Sequence, residues 1–142
     1  ESSQVPLIIS APGKKPAVCN SFVELLDLYP TLASMCGLEA QKRLQGKDVS
    51  KMLDDPTHSV RDAAFCVAPS RKGFLLREKK WAYIQYGDKA QNGIELFDAQ
   101  KDPKQYDNLA KKKEYQPVVN EFKKKMAAKL ADLRDNDLKK SR

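Results

Sequence analysis

After residue 60 the spacing of apolar residues changes from a helical period to the two-residue alternation of β-strands. Four short runs show this alternation, over residues 63–68, 73–77, 81–86 and 94–97. Turn-forming residues separate the runs, and the short connections predict an antiparallel meander of about four strands. In the third run Trp81, Tyr83 and Gln85 share one face of the strand and Ala82, Ile84 and Tyr86 share the other, and one of these faces is expected to need a cover.

The predicted cover is an amphipathic helix at the C-terminal end of the chain. Apolar residues recur there at steps of three and four and form one stripe. The stripe consists of Tyr115, Val118, Val119, Phe122, Met126, Leu130 and Leu133. Pro117 falls in the first turn, where proline is tolerated, and the chain beyond Asp135 is expected to fray. The fold class predicted for this part is α+β, a small antiparallel sheet packed by the helix.

The first sixty residues show a different pattern. Residues 5–10 form a continuous apolar run closed by a Pro-Gly turn, which is typical of a strand buried on both faces. No other run in the chain has this character, so we expect its partner strands to lie in sequence outside this chain. Ser21 and Glu24 have the spacing of a capping box, which predicts a helix that begins there and ends at Gly37. Pro30 is expected to kink or restart it.

The apolar stripe predicted for this first helix consists of Phe22, Leu25, Leu26, Tyr29, Leu32, Ala33 and Cys36. Residues 44–48 then read as a loop, and residues 49–53 as a helical turn. The longest apolar runs are far below the roughly 18 residues that span a bilayer, which excludes a membrane span, and no signal-peptide pattern is visible.

Four stretches in fixed order resemble the sulfatase family, within the alkaline-phosphatase superfamily and nearest to iduronate-2-sulfatase and its bacterial counterparts. The resemblance extends over residues 1–110. The first three stretches are Glu1 to Gly13, Val23 to Ala33 with Gly37-Leu38, which contains an Asp-x-x-Pro-Thr-Leu motif, and Leu44-Gln45-Gly46-Lys47-Asp48. The fourth is residues 73–86 followed by Glu95-Leu96-Phe97-Asp98, Lys101-Asp102-Pro103 and Asn108-Leu109-Ala110.

The resemblance implies that this chain is the C-terminal part of a sulfate-ester hydrolase. Residues 1–56 would be the tail of its large α/β domain, and residues 57–142 its small C-terminal subdomain. It also implies a formylglycine nucleophile and a divalent cation, usually Ca²⁺, held by an N-terminal catalytic domain upstream of this chain. The fragment alone is therefore predicted to be inactive. The parent would be periplasmic, extracellular or lysosome-like.

We expect neither a catalytic residue nor a metal site within the chain. Cys66 to Arg71 almost spells the formylglycine motif, but the arginine is one position too far from the cysteine. His58 is the only histidine and reads as a loop residue, and the paired aspartates read as turn and cap residues. The three cysteines form no C-x-x-C pair and are expected to be unligated and mostly buried.

The candidate substrate-binding residues are cations that could meet the anionic sulfate ester. Arg71 and Lys72, in the loop between the first two strands, are favoured, and Arg77 with Lys79 and Lys80, around the next turn, is the second choice. Solvated hairpin charges are the simpler explanation for both groups.

The net charge of +7 allows a rival function. Residues 111–142 hold 11 Lys or Arg and 5 Asp or Glu, so a basic module could bind nucleic acid or a sulfated glycan through its Lys-rich helix. The lysines fall mostly outside the apolar stripe, as on a solvated helix face, and we favour the sulfatase interpretation over nucleic-acid binding.

Overall fold

The computed structural model describes residues 5–68 and 73–135. The chain consists of two compact units, Glu1–Asp62 and Ala63–Arg142. The predicted boundary at residue 56, which refers to the domains of the parent, stays a prediction.

The second unit contains a four-stranded antiparallel sheet whose strands follow each other in chain order. The strands are β1 (Ala63–Val67), β2 (Gly73–Glu78), β3 (Trp81–Tyr86) and β4 (Ile94–Asp98). The ends of each predicted run agree with the ends of the observed strand to within one residue, so the predicted meander is confirmed. In the register, Leu76 of β2 pairs with Tyr83 of β3, which in turn pairs with Leu96 of β4.

The predicted cover is also confirmed. Helix α2 spans Gln116–Arg134 with Pro117 in its first turn. Its stripe packs on the sheet face of Phe74, Leu76, Tyr83 and Leu96. The Tyr83 ring stacks on Phe122 with centroids 5.6 Å apart. Burial in this core raises the pKa of Tyr83 to about 12, and the hydroxyl donates to the Gln85 side-chain oxygen at 3.1 Å.

Asn108 joins the end of the sheet to the turn that leads into α2. Its side-chain oxygen accepts the backbone N–H of Leu96 at 3.1 Å and that of Ala110 at 3.0 Å. The first bond occupies a donor on the edge strand β4, and the second caps the 3-10 turn Leu109–Lys111. The Asn-Leu-Ala motif therefore fixes the chain between sheet and helix.

The first unit is built around helix α1 (Leu28–Met35), which a 3-10 turn over Leu25–Asp27 precedes. A second 3-10 turn covers Ser50–Leu53, where the sequence predicts a helical turn. Gly37 has a φ of +69° and the Leu38 N–H donates to the Ala33 carbonyl at 2.8 Å. The predicted glycine C-cap is confirmed.

The predicted start of this helix is wrong. Ser21 does not cap it, because its hydroxyl donates to the His58 carbonyl at 2.7 Å. The capping box is formed by Glu24 and Asp27 instead, and the Glu24 N–H donates to the Asp27 carboxylate at 2.7 Å. Pro30 then lies in the first turn of α1, so no kink is needed.

The predicted strand over residues 5–10 is not formed in this structure. These residues have no regular secondary structure, and Val5, Leu7 and Ile8 are exposed. A β-strand needs a partner strand for its backbone hydrogen bonds, and the described residues of the first unit contain none. None of the helices in the described parts of the chain combines the length and apolar character that crossing a bilayer requires.

Candidate functional site

Asp27, the first residue of the Asp-x-x-Pro-Thr-Leu motif, is a buried carboxylate with only 1% of its surface exposed. Its two oxygens accept the backbone N–H groups of Glu24 and Lys47, each at 2.7 Å. Both guanidinium Nη atoms of Arg61 donate to the same carboxylate, Nη2 at 2.6 Å. This four-donor arrangement joins the start of α1, the loop at residue 47 and the end of the first unit.

The protonation of Asp27 reflects this arrangement. Burial disfavours its charged form, but the hydrogen bonds from Arg61 and from the two backbone N–H groups outweigh burial and hold the pKa of Asp27 below its ordinary value. The hydrogen bond to Asp27 raises the pKa of Arg61 in turn. The pair is ionised at neutral pH.

Thr31 makes the second connection from α1 to the following loop. Its hydroxyl donates to the Asp27 carbonyl at 2.6 Å and accepts the Val49 N–H at 3.0 Å. Gly46 belongs to the same loop as Val49, and a Cβ added at Gly46 would stand 2.0 Å from the Leu26 carbonyl oxygen. The polar motif residues and this glycine therefore hold residues 46–49 against α1.

Asp27, Pro30 and Thr31 are buried, whereas most of the apolar stripe predicted for this helix is exposed. Within that stripe Ala33 is buried and Phe22 is partly buried. Leu25, Tyr29 and Leu32, at the spacing of one helical stripe, are 78%, 56% and 57% exposed. We call these three residues the α1 stripe. Other apolar residues of the first unit are also exposed, namely Val5, Leu7, Ile8, Val18, Leu26, Met35, Leu38 and Leu44. The helix and the turn before it therefore bury two polar side chains, Asp27 and Thr31, while the three large apolar ones of the α1 stripe are exposed.

Of the predicted substrate-binding residues, the structure describes Arg77, Lys79 and Lys80. Arg71 and Lys72 lie outside the described residues. Arg77 is a partly buried residue of β2, whereas Lys79 and Lys80 are exposed in the turn between β2 and β3. The Lys80 ammonium lies 4.9 Å from the centre of the Trp81 ring. Arg77 thus shares no turn with the two lysines.

The other chemistry-bearing residues have local structural partners. Asp55 and Asp98 accept backbone N–H groups in turns, as predicted for turn and cap residues. Cys19 and Cys66 are partly buried and Cys36 is exposed, so the expectation that most cysteines are buried is wrong. The residues that the structure describes do not bring three His, Cys, Asp or Glu side chains together into a group that could hold a metal ion.

Some of the cations of α2 are paired with nearby acids. Lys125 lies 2.7 Å from the Glu78 carboxylate on the sheet and 2.6 Å from Glu121 on the helix. Arg134 lies 2.9 Å from the Asp88 carboxylate. These pairs give part of the positive charge a structural role in docking α2.

The first 132 residues match the sequence model described as "N-sulphoglucosamine sulphohydrolase, C-terminal". The chain belongs to this sulfatase family. Curated relatives of the chain include an ulvan-active sulfatase from Formosa agariphila, 28% identical over 95% of this chain and 28% of that protein. Arylsulfatase K from Bos taurus is 31% identical over 78% of this chain and 23% of that protein. The chain therefore spans about a quarter of the length of these relatives.

Solved structures show the same fold. One is described as a 2-O GAG sulfatase and has a TM-score of 0.64 at 23% identity, over 82% of this chain and 26% of that one. Another, solved with its substrate D-glucosamine-2-N,6-O-disulfate, has a TM-score of 0.64 at 21% identity, over 80% of this chain and 25% of that one. The predicted fold class and the resemblance to sulfatases are confirmed. The finer resemblance to iduronate-2-sulfatase stays a prediction.

Proposed function

We propose that this chain is the C-terminal part of a sulfatase whose complete parent hydrolyses sulfate esters of a sugar. The family match over residues 1–132 supports the reaction class. The named activity of the ulvan-active sulfatase and the disulfated glucosamine bound to a structural neighbour support a sulfated saccharide as substrate. The N-terminal catalytic domain would supply the formylglycine nucleophile and the calcium ion, and the parent would be periplasmic, extracellular or lysosome-like.

The contribution of the chain itself is completion of the large domain and one wall of the substrate cleft. The observation that carries this proposal is the exposed α1 stripe, because a helix that buries Asp27 and Thr31 and exposes leucines is arranged to receive an apolar partner. Residues 5–10 would add a strand to the sheet of the catalytic domain, which would supply the backbone partners that the described residues of the first unit do not offer.

The test of the reaction is sulfate release by the purified complete parent. We expect release from a sulfated disaccharide and from p-nitrophenyl sulfate, and no release by the present chain alone. Calorimetric titration of the chain with calcium should show no micromolar binding. A parent with a mature nucleophile that cleaves neither substrate would refute the reaction class, and turnover by the repurified chain would refute the assignment of catalysis to the upstream domain.

The test of domain completion is the double variant Leu25→Asp/Leu32→Asp. In the present chain these positions are exposed, so the urea midpoint should stay close to that of the wild type. In the complete parent the same change should place two charges in an apolar interface and cause loss of soluble protein or a much lower Tm. Lys51→Asp, at an exposed position of the same unit, is the control and should leave both proteins unchanged. Equal behaviour of the double variant and the control in the parent would refute the interface.

A further inference from the structure

Arg77 lies on the face of the sheet opposite the one that packs on α2. It is paired in register with Ala64 on β1 and Ala82 on β3, two residues that offer no charge and no side-chain acceptor. Its neighbours along β2, Leu76 and Glu78, point to the other face, where Leu76 belongs to the core beneath α2. On both neighbouring strands, the register therefore pairs this arginine with a small uncharged side chain.

The guanidinium of Arg77 is left largely without acceptors. A guanidinium has five N–H donors, and the bond that the structure gives Arg77 runs from Nη1 to the Glu78 carbonyl at 3.0 Å. The Glu78 carboxylate binds Lys125 instead. Within residues 5–68 and 73–135 no carboxylate lies within ion-pair distance of Arg77, whereas Arg61 has two and Arg134 has one.

An arginine stays charged in proteins, and partial burial makes that charge costly unless an anion compensates it. Burial alone lowers the pKa of Arg77, and no neighbouring acid raises it. Lys125 of α2 is the contrasting case, because hydrogen bonds to the carboxylates of Glu121 and Glu78 raise its pKa. The sheet holds Arg77 in place without supplying its counter-ion.

We propose that Arg77 binds an oxyanion that comes from outside this chain, through the two-pronged face of its guanidinium. The planar fork matches the paired oxygens of a sulfate ester or of a carboxylate. The oxyanion has two sources, the sulfated substrate or an acidic side chain of the catalytic domain. The first source rests on the proposed function, and the second requires only that the chain be part of a longer protein.

The first experiment uses the present chain and asks whether Arg77 serves its stability. Arg77→Met keeps the aliphatic stem and removes the charge, and Lys125→Met does the same for a cation with two carboxylate partners. We expect the urea midpoint of Arg77→Met to equal or exceed that of the wild type, and that of Lys125→Met to fall. A fall for Arg77→Met as large as that for Lys125→Met would overturn the proposal, because Arg77 would then be an internal structural residue.

The second experiment uses the complete parent and distinguishes the two sources. If the oxyanion is the substrate, Arg77→Met should raise KM for a sulfated disaccharide about tenfold or more with Tm unchanged, and Arg77→Lys should restore part of the affinity. If it is a carboxylate of the catalytic domain, Tm should fall by several degrees with KM unchanged. No change in KM or Tm would overturn the proposal. A wild-type parent without sulfatase activity would refute the proposed function, while the Tm and urea measurements would still test Arg77.

Discussion

Asp27 and Arg61, 34 residues apart in the chain, form a two-pronged ion pair in which the carboxylate has 1% and the arginine side chain 13% of its surface exposed. The carboxylate also binds two backbone N–H groups, so none of its hydrogen-bonding capacity faces water. Such a pair is costly to break from one side, because the remaining partner is left charged and buried. It is the principal polar connection of the first unit.

Removal of one partner should therefore destabilise the first unit strongly. We expect Arg61→Met to lower its free energy of unfolding by about 3–5 kcal/mol, as for other buried pairs that lose one member. Arg43→Met is the matched control, because Arg43 is exposed and bonds only the Gln41 side chain among the described residues, and its effect should stay within about 0.5 kcal/mol. Urea titration followed by a probe in the first unit measures both, and equal effects would contradict this role of the pair.

The same pair predicts a dependence of stability on pH. The pKa of Asp27 is lower in the folded chain than in the unfolded one, so its contribution is fully present above the unfolded value of about 3.9. It is lost as the pH falls through the folded pKa. The wild type should lose stability more steeply than Arg61→Met between about pH 5 and pH 2. Parallel pH profiles for the two proteins would show that Asp27 titrates independently of Arg61.

Thr31 offers a test of the connection between α1 and the following loop. Thr31→Val removes the hydroxyl that accepts the N–H of the buried Val49, and should cost about 1–3 kcal/mol. Thr31→Ser keeps the hydroxyl and removes one methyl group, which should cost about 0.8 kcal/mol. In a denaturant titration Thr31→Val should be less stable than Thr31→Ser. The reverse order would show that Thr31 acts by apolar packing.

Gly46 tests how closely that loop approaches α1. A methyl group at Gly46 would overlap the Leu26 carbonyl oxygen, so Gly46→Ala should displace the loop and cost about 3 kcal/mol. Gly13 has open space around it but a φ of +76°, so Gly13→Ala should cost only about 1–2 kcal/mol, from backbone strain. A smaller loss for Gly46→Ala than for Gly13→Ala would contradict the close approach.

The meander could be predicted from sequence because its strands and turns are specified locally. A short stretch of sequence is enough to recognise the alternation from Trp81 to Tyr86 and the apolar stripe from Val118 to Leu130. The segment 5–10 shows the opposite case. Its apolar run specifies a buried strand, but the hydrogen-bond partners of a strand are not a local property, and the described residues of the first unit do not supply them.

The roles of the motif residues were harder to predict. The motif from Asp27 to Leu32 could be recognised, but the helical spacing of the leucines does not show that Leu25 and Leu32 are exposed while Asp27 and Thr31 are buried. Long-range partners decide this outcome, since Asp27 binds Arg61 and Thr31 binds Val49. The sequence signal that could have indicated this burial is the i, i+4 spacing of Asp27 and Thr31, which places both on the face opposite the leucines.

Variants of two α2 residues, Phe122 and Lys124, test how this helix docks on the sheet. Phe122 is 1% exposed and stacks on Tyr83, so Phe122→Ala should lower the free energy of unfolding of the second unit by about 3–5 kcal/mol. Lys124 is exposed on the other side of the helix, so Lys124→Ala should change it by less than about 0.5 kcal/mol. Thermal or urea unfolding followed by Trp81 fluorescence reports on this unit, because the indole packs edge-on against Tyr115 at 5.9 Å. Equal losses for the two variants would mean that α2 does not dock through the stripe of Phe122, Met126 and Leu130.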